Sequence, residues 1–264
     1  MKILYWNLKN NLEIPTFIID CIQENDVDVF ICSEFNDVDI DRIPLDLQDY
    51  CIAKGLDICS KVKIVHKKSL NIEIIQEQER YLLATYENKN VKYLITGVHL
   101  QANPYCNTID RISLIQSIIS DIIEYEDKEF LKNEHRTLVI GDMNASPFDP
   151  EMTSKTSFNS VLFKEVIDKS SLVEYQGKLY ERFFNPIIGY IGNKNLGHGS
   201  FYYSNRVDAL YWYCYDQILV RKELIEHVKN LQYLKKIKNN SLIKEIRPNN
   251  DISDHLPLLV EIDI

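Results

Sequence analysis

The positions of apolar side chains divide the chain into short strands and a few helices. Continuous apolar runs predict buried strands, and apolar residues three and four positions apart predict helices that cover a core. We expect strands at 2–7, 27–33, 50–53, 57–60, 62–66, 72–75, 81–86, 93–99, 138–140, 211–220 and 256–262. We expect helices at 15–25 (capped by Thr16), 108–125, 158–167 and 222–239, a loop or irregular helix at 36–49, and a long loop at 189–199.

The order of these elements predicts an α/β protein without a strict strand–helix–strand rhythm. Turn-like pairs such as Lys54-Gly55 separate neighbouring apolar segments, which favours local antiparallel pairing. Helices between the strands would cover mixed, largely antiparallel sheets. The sequence has no repeat and no linker rich in Pro, Gly or Ser, so we expect residues 1–264 to form a single domain.

Composition narrows the class of protein. Hydrophobic residues make up 45% and charged residues 26% of the 264 residues, as is ordinary for a soluble globular protein. Six cysteines without a C-x-x-C pair, several of them in apolar runs, favour reduced core thiols over disulfides or a zinc site. The first residues turn polar too soon for a signal peptide, and no apolar run reaches the roughly 18–20 residues that span a bilayer. We expect a cytoplasmic monomer without a membrane partner.

The net charge of −9 bears on the substrate. Binding of nucleic acid by charge alone usually requires a basic stripe, so the acidic balance argues against a tight, sequence-independent DNA-binding protein. Carboxylates gathered around a divalent cation would account for part of the acidity, because the cation reverses the local field.

Polar side chains recur where the predicted strands end. The set consists of Asn7, Glu34, His99, Asp142, Asn144, Asp216, Asp254 and His255. A single Asp or Asn beside a glycine is more often a turn residue than a ligand, and an isolated histidine such as His66, His135 or His227 receives no role. Recurrence at successive strand ends, however, is typical of a site built on a rigid scaffold.

The motifs around these residues resemble, in their order, the endonuclease/exonuclease/phosphatase superfamily. They are Trp6-Asn7, Ser33-Glu34, Val98-His99-Leu100, Gly141-Asp142-Met143-Asn144, Asp216-Gln217-Ile218 and Ser253-Asp254-His255, with supporting matches at 55–61, at Arg111 and at 199–217. Each motif is weak alone, but the ordered set spans residues 3–262. The resemblance implies a four-layer α/β/β/α sandwich, with two sheets packed face to face and the site at one end of the sheets.

The resemblance also implies a metal-dependent hydrolysis of phosphate esters. Glu34, with Asn7 beside it, is the expected direct ligand of Mg²⁺ or Mn²⁺, which prefer hard oxygen donors. Asp254, and Asp142 as a further candidate, would reach a second ion or a water of its outer shell. Hydrolysis needs such a cation on the phosphoryl oxygens together with a positioned water.

The remaining residues receive catalytic roles. Asp142 and Asn144 would orient the attacking water, with Asp142 taking its proton. His255, oriented by Asp216 through one ring nitrogen, would face the phosphate as an acid, a base or a charge stabiliser. His99 would donate to a phosphoryl oxygen in the transition state.

Substrate recognition is the least determined part. Arg111 would hold a phosphate or anchor a buried salt bridge, and Trp212, like nearby tyrosines, would stack a base or belong to the core. The basic segment 229–247 would be a solvated helix face or a groove for a polyanion. The leading hypothesis is a DNA or RNA nuclease, and the first alternative is an inositol or nucleotide phosphatase or a lipid phosphodiesterase. A non-catalytic binding module is disfavoured, because every expected catalytic position is filled.

Overall fold

The computed structural model describes residues 1–11, 14–102, 107–132, 134–191, 199–205, 207 and 209–264, apart from the side chain of Val38. The helices are α1 (Pro15–Asn25), α2 (Asp37–Asp46), α3 (Thr108–Glu129), α4 (Pro150–Thr153) and α5 (Lys164–Lys169), with short 3₁₀ helices at Pro186–Gly189 and Lys222–His227. The strands are β1 (Lys2–Asn7), β2 (Val29–Ser33), β3 (Tyr50–Ile52), β4 (Val62–Lys67), β5 (Ile72–Gln78), β6 (Tyr81–Asn88), β7 (Val91–His99), β8 (Thr137–Asp142), β9 (Ser160–Val161), β10 (Leu172–Tyr175), β11 (Lys178–Glu181), β12 (Phe183–Phe184), β13 (Phe201–Tyr203), β14 (Tyr211–Tyr213), β15 (Asp216–Val220), β16 (Val228–Tyr233), β17 (Lys236–Ile237), β18 (Asn240–Ser241), β19 (Ile243–Lys244), β20 (Arg247–Pro248) and β21 (Leu258–Ile262).

The strands form two large mixed sheets. The first has the order β16-β21-β1-β2-β4-β3 and the second the order β5-β6-β7-β8-β15-β12-β9. Within them β1 runs parallel to β2, β7 to β8 and β9 to β12, and the other pairs are antiparallel. Four small hairpins, β10–β11, β13–β14, β17–β18 and β19–β20, complete the sheets of the described residues. The predicted α/β class with mixed, largely antiparallel sheets is confirmed.

The two sheets pack face to face through apolar side chains. A Cβ atom on Gly97 of β7 would lie 2.9 Å from Val62 Cγ1 and 3.4 Å from Ile31 Cγ2, both in the first sheet. Only glycine therefore allows this approach without a shift of the neighbouring side chains. Ile140 and Ile218 of the second sheet are fully buried in the same cluster. The apolar side chains of both sheets thus form the core between them.

Helices cover the sheets on both sides. Ile115, Ile118 and Ile122 of α3 are fully buried in a separate cluster with residues of the second sheet. These residues lie three or four positions apart, as the apolar stripe of a core-facing helix requires. Helix α1 buries Ile18 and Ile22 in the cluster that contains the first sheet. The four-layer α/β/β/α sandwich is therefore confirmed.

The sequence correctly predicts β1 and α1, but its expectation for the cap of α1 was wrong. The N-cap is Ile14, which makes no side-chain capping bond, and Pro15 opens the helix instead of Thr16 capping it. Proline suits this position because its missing N–H has no partner there in any helix. The ambiguous segment 36–49 contains α2, with Pro44 inside it. In the segment 158–167, predicted to be helical, β9 comes first and α5 begins only at Lys164.

Two predicted strands were wrong or incomplete. In both segments, side-chain oxygens accept backbone N–H groups that a neighbouring strand would otherwise bind. At 57–60 no strand is assigned, and the Glu77 carboxylate accepts the N–H groups of Leu56 and Ile58. The segment 211–220 is divided into β14 and β15, which belong to different sheets. At the break, Ser200 Oγ accepts the N–H groups of Tyr215 and Asp216.

The predicted basic helix at 222–239 was also wrong. After the 3₁₀ turn, β16 continues as a strand and pairs antiparallel with β21, at the edge of the first sheet. Because β21 is the last strand of the chain, no local sequence pattern predicts that it pairs with β16. In the basic segment 229–247, Lys238 pairs with Asp20 and Lys244 pairs with the exposed Asp251, as a solvated surface would.

The expected loop at 189–199 lies mostly outside the described residues. In the described part of the chain, no helix combines the length and the apolar composition needed to cross a bilayer.

Candidate active site

Three neighbouring strands of the second sheet place polar side chains side by side. His99 at the end of β7 is in register with Asp142 at the end of β8, and Asp142 is in register with Asp216 at the start of β15. Directly opposed residues point to the same face of a sheet, so these three side chains share one face.

The first sheet brings two more residues to the same end of the sandwich. Asn7, at the end of β1, donates through Nδ2 to Asp142 Oδ2 and to Glu34 Oε1, each at 3.1 Å. Glu34 directly follows β2 and has a φ of 48°, which turns the chain sharply where the strand ends. The two sheets thus contribute to one group of side chains.

The segment that carries Asp254 and His255 is fixed to β1. Ser253 Oγ donates to the Asn7 carbonyl oxygen at 2.7 Å and accepts the His255 N–H at 3.1 Å. Trp6 Nε1 donates to the His255 carbonyl oxygen at 3.0 Å. The serine of the Ser-Asp-His motif and the tryptophan of the Trp-Asn motif thus position the residues that follow them. The structure brings together the eight strand-end residues of the sequence prediction, here called the strand-end cluster: Asn7, Glu34, His99, Asp142, Asn144, Asp216, Asp254 and His255.

His255 lies between two carboxylates. Its Nδ1 is 2.7 Å from Asp216 Oδ2, and its Nε2 is 3.9 Å from Asp142 Oδ2. Burial by itself lowers the pKa of His255, but the charges of Asp216 and Asp142 and the hydrogen bond to Asp216 raise it to about 10. The imidazole therefore carries a positive charge at neutral pH, and Asp216 fixes which way the ring faces.

Asp142 is buried at the centre of the strand-end cluster. Burial raises the pKa of this carboxyl above its usual range, although the charge of His255 opposes the effect. Its Oδ1 accepts the N–H of Asn144 at 2.8 Å. The turn after Asp142 is held by Asn144 Nδ2, which donates to Leu100 O at 2.8 Å, and by Gln217 Nε2, which donates to Ala145 O at 2.6 Å.

His99 and Glu34 form the more open side of the strand-end cluster. His99 Nε2 is 3.4 Å from Glu34 Oε1 and 3.8 Å from Asp142 Oδ2. The hydrogen bond to His99, against the opposing effect of burial and with help from Asn7, lowers the pKa of Glu34 to about 2. The Glu34 side chain is 37% exposed, whereas that of Asp142 is 1% exposed, so Glu34 is the carboxylate more accessible to an ion from solvent.

A cleft of about 510 Å³ opens onto the strand-end cluster. The members of the cluster that line it are Glu34, His99, Asp142, Asn144, Asp254 and His255. Oxygen donors and a charged imidazole around one opening suit a bound phosphate with a hard cation. Asp142, Asp216 and His255 also offer possible metal-ligand atoms within 4.8 Å of one another. Asp216 and His255, however, are joined by a short hydrogen bond of 2.7 Å.

The two predicted substrate-binding residues lie elsewhere. Arg111 is buried, donates to Asn144 O at 2.6 Å and pairs with the Glu151 carboxylate. It therefore supports the turn after Asp142, and the buried salt-bridge alternative fits it. Trp212 packs its ring edge-to-face on Tyr202, with 5.5 Å between centroids, and contacts the main core. Neither Arg111 nor Trp212 is among the described residues that line the cleft.

Three further cleft residues received no site role from the sequence. Phe201 lies against His255, with 4.9 Å between ring centroids, and Lys61 and Arg80 also line the cleft. The Ser60-Lys61 pair belongs to a supporting motif of the resemblance, which was the available signal for Lys61. For Arg80 the signal was the register of the β6–β7 hairpin.

A second group of ionisable residues lies at the opposite ends of β8 and β15. Glu126, His135 and Glu181 offer ligand atoms within 4.8 Å of one another. Arg221, however, donates to both carboxylate oxygens of Glu126 at 2.9 Å and is 1% exposed. The group is therefore a buried ion-pair network that joins α3 to the second sheet.

Comparisons with known proteins support the fold. No family model and no curated protein matches the sequence. Among solved structures, a mannosyl-6-phosphatase from Bacteroides thetaiotaomicron is similar with a TM-score of 0.65 and 13% identity, covering 100% of both chains. An endonuclease/exonuclease/phosphatase family protein from the same organism has a TM-score of 0.63 and 14% identity, covering 100% of this chain and 98% of the other. TDP2 of D. rerio, in complex with a single-strand DNA product, has a TM-score of 0.62 and 14% identity, covering 100% and 99%. The chain therefore has the fold of the endonuclease/exonuclease/phosphatase proteins.

Proposed function

We propose that this chain is a divalent-metal-dependent phosphoesterase that hydrolyses a phosphodiester of DNA or RNA by attack of an activated water. The observation that carries the proposal is the convergence of buried Asp142, the Asp216–His255 pair and half-exposed Glu34 on one cleft. A structural network alone would not need a buried base, a charged imidazole and an accessible carboxylate at one opening. We also propose that residues 1–264 form one domain that acts as a monomer.

Glu34 and Asn7, with Asp254 at the same cleft, would hold Mg²⁺ or Mn²⁺. The donor set fits, because hard oxygen ligands and few carboxylates are what these ions use in phosphate sites. Glu34 stays ionised at any ordinary pH, since its pKa is lowered to about 2. When bound, the ion neutralises charge on the phosphoryl oxygens and orients the ester.

The side chains of the strand-end cluster would take the proton of the attacking water and stabilise the charge on the phosphoryl group. Asp142 accepts a proton from the attacking water, and its raised pKa makes it a stronger base than an ordinary aspartate. Asn144 holds the carboxylate in place through its N–H. His255, charged at neutral pH and oriented by Asp216, stabilises the negative charge on the phosphoryl group, and His99 donates to a second oxygen.

Metal dependence and two variants test the mechanism. EDTA should abolish hydrolysis of bis-p-nitrophenyl phosphate, and Mg²⁺ or Mn²⁺ should restore it. Asp142→Asn should lower kcat by about 10²–10⁴-fold with little change in Tm, because general base catalysis is lost. Asp251→Asn, the same change at an exposed residue, serves as the matched control. Hydrolysis in EDTA would contradict the metal role, and wild-type kcat in Asp142→Asn would contradict the role of the base.

A substrate panel decides between polymer and small-molecule esters. The similar structures include both a protein named as a mannosyl-6-phosphatase and one with bound DNA product, so a phosphatase acting on small monoesters is the second candidate. We would compare plasmid, single-stranded DNA, RNA, an abasic duplex and inositol phosphates, each with Mg²⁺ and with Mn²⁺. Cleavage of DNA or RNA supports the nuclease, and cleavage of monoesters alone overturns it.

A further inference from the structure

Two basic side chains from segments joined by a backbone hydrogen bond, here called the basic wall, line the cleft. Lys61 and Arg80 line the same opening as the strand-end cluster. The Arg80 side chain is only 18% exposed, and its one ion pair within the described residues is to Glu79 at 3.9 Å. That distance is too long for a hydrogen bond, and the Glu79 side chain is 67% exposed. For Lys61, no ion pair is formed within the described part of the chain.

The fold fixes both residues beside the strand-end cluster. Arg80 directly precedes β6, and its carbonyl oxygen accepts the His99 N–H at 2.9 Å. Lys61 directly precedes β4, which is antiparallel to β2, so that it stands across from Glu34. The Lys61 N–H also donates to Glu79 O at 3.2 Å, which ties the two segments together. The basic pair is therefore held by strand pairing and is adjacent to the proposed catalytic groups.

The acidic charge of the cleft would repel a substrate that carries more than one phosphate. Carboxylates of Glu34, Asp142 and Asp254 also line the opening, and the whole chain carries a net charge of −9. A cation on Glu34 would offset the repulsion of one phosphate only. A substrate with a second phosphate would need its own positive partner, and guanidinium and ammonium groups are the usual side-chain partners of phosphate.

We propose that Lys61 and Arg80 form a second phosphate subsite, which binds a phosphate neighbouring the one that is cleaved. This inference rests on the proposed function and narrows its substrate class to esters that carry two nearby phosphates. An adjacent nucleotide of a nucleic-acid strand would supply the second phosphate, as would a second phosphate on a small polyol. The shared chemistry is a phosphate within reach of the basic wall while the scissile phosphate lies on the strand-end cluster.

Matched substrates that differ by one phosphate test the subsite. The dinucleotide TpT carries one phosphate, and pTpT and TpTp carry an added 5′ or 3′ phosphate. A myo-inositol monophosphate and a bisphosphate form the polyol arm. We expect the wild type to prefer the member with the added phosphate in kcat/KM in one of the two arms, and that arm identifies the source. Arg80→Gln and Lys61→Gln should each reduce this preference about tenfold, the effect of losing a charged hydrogen bond.

Controls separate the subsite from folding and from the catalytic step. Arg136→Gln and Lys89→Gln make the same changes at the opposite end of the strands and should keep the wild-type preference. If Arg80→Gln does not fold, Arg80→Lys and Lys61→Gln decide the question. A wild type with equal kcat/KM for both members of a pair in both arms overturns the subsite. Variants whose kcat/KM falls equally on both members of a pair also overturn it.

The two proposals fail in different ways. Bis-p-nitrophenyl phosphate, which has one phosphate, reports hydrolysis independently of the subsite. If the wild type hydrolyses none of the esters, the proposed function is overturned, and the Kd values of TpT, pTpT and TpTp with Mg²⁺ then decide the subsite. Tighter binding of pTpT or TpTp that is lost in Arg80→Gln supports it, and equal Kd values overturn it.

Discussion

Replacing Asp216 by asparagine tests the charge on His255. Asp216 Oδ2 lies 2.7 Å from His255 Nδ1, and both residues are buried. Asparagine keeps the shape and an oxygen acceptor but removes the negative charge. A pKa raised from 6.5 to about 10 corresponds to roughly 5 kcal/mol in favour of the imidazolium. Because burial acts in the opposite direction, the pKa of His255 in Asp216→Asn should fall from about 10, although the charges of Asp142 and Asp254 continue to raise it.

The pH dependence of stability follows from the sign of this shift. A pKa raised by folding contributes stability that is fully present below 6.5 and is lost as the pH rises through about 10. The metal-free wild type should therefore lose up to about 5 kcal/mol from His255 between these two pH values, and Asp216→Asn should lose less. Urea unfolding in EDTA at several pH values measures the difference, and a ¹⁵N-imidazole NMR titration follows His255 directly.

Activity provides the second readout of the same variant. At pH 7, kcat of Asp216→Asn should fall by about 10²–10⁴-fold, because the imidazole loses its hydrogen-bonded countercharge and its fixed orientation. Asp251→Asn, 74% exposed and paired with Lys244, should change neither kcat nor the titration. A wild-type His255 that titrates near 6.5, or an Asp216→Asn variant with wild-type kcat, would refute the reasoning.

Three further substitutions test the structural roles of single residues. Gly141→Ala should cost about 3 kcal/mol or more and reduce kcat, since its Cβ would lie 1.9 Å from a carbonyl oxygen of β7. Gly189→Ala, where a Cβ would meet no atom of the described residues within 4 Å, is the control in urea unfolding. Arg221→Met should lower stability by about 3–5 kcal/mol by leaving the buried Glu126 carboxylate without its arginine partner, and adding Glu126→Gln should recover much of the loss; no recovery would contradict the ion-pair interpretation. Trp212→Leu should lower Tm and leave KM within about twofold, because the ring packs on the core; a large rise in KM would return it to the binding site.

Local patterns predicted what depends on local structure. The bounds of β1 and α1 follow from apolar spacing and from the proline that opens the helix. The strand-end residues followed from the order of short motifs, since each polar residue lies at or near the end of a buried strand. Their convergence was implied only by the resemblance, because it requires the pairing of β7, β8 and β15 and the stacking of two sheets.

Long-range partners account for the errors. The helical spacing of 222–239 is real in the sequence, but β21 offers a strand edge that the segment pairs with instead. The sequence left Arg111 open between phosphate binding and a salt bridge, since Glu151 lies 40 residues away. Nothing near Arg111 in the sequence marks Glu151 as its partner, so only the fold could decide between the two roles.

One hairpin shows how far a local signal reaches into the cleft. Lys89 and Asn90 have φ angles of 51° and 65°, as the two central residues of a type I′ turn require. Such a turn fixes the register of the two strands that it joins, and counting back along β6 places Arg80 opposite His99. Lys61 reaches the same wall through β4, whose partner β2 is joined to it by no short turn. One half of the proposed phosphate subsite is therefore encoded in a single hairpin, whereas the other half depends on the assembled sheet.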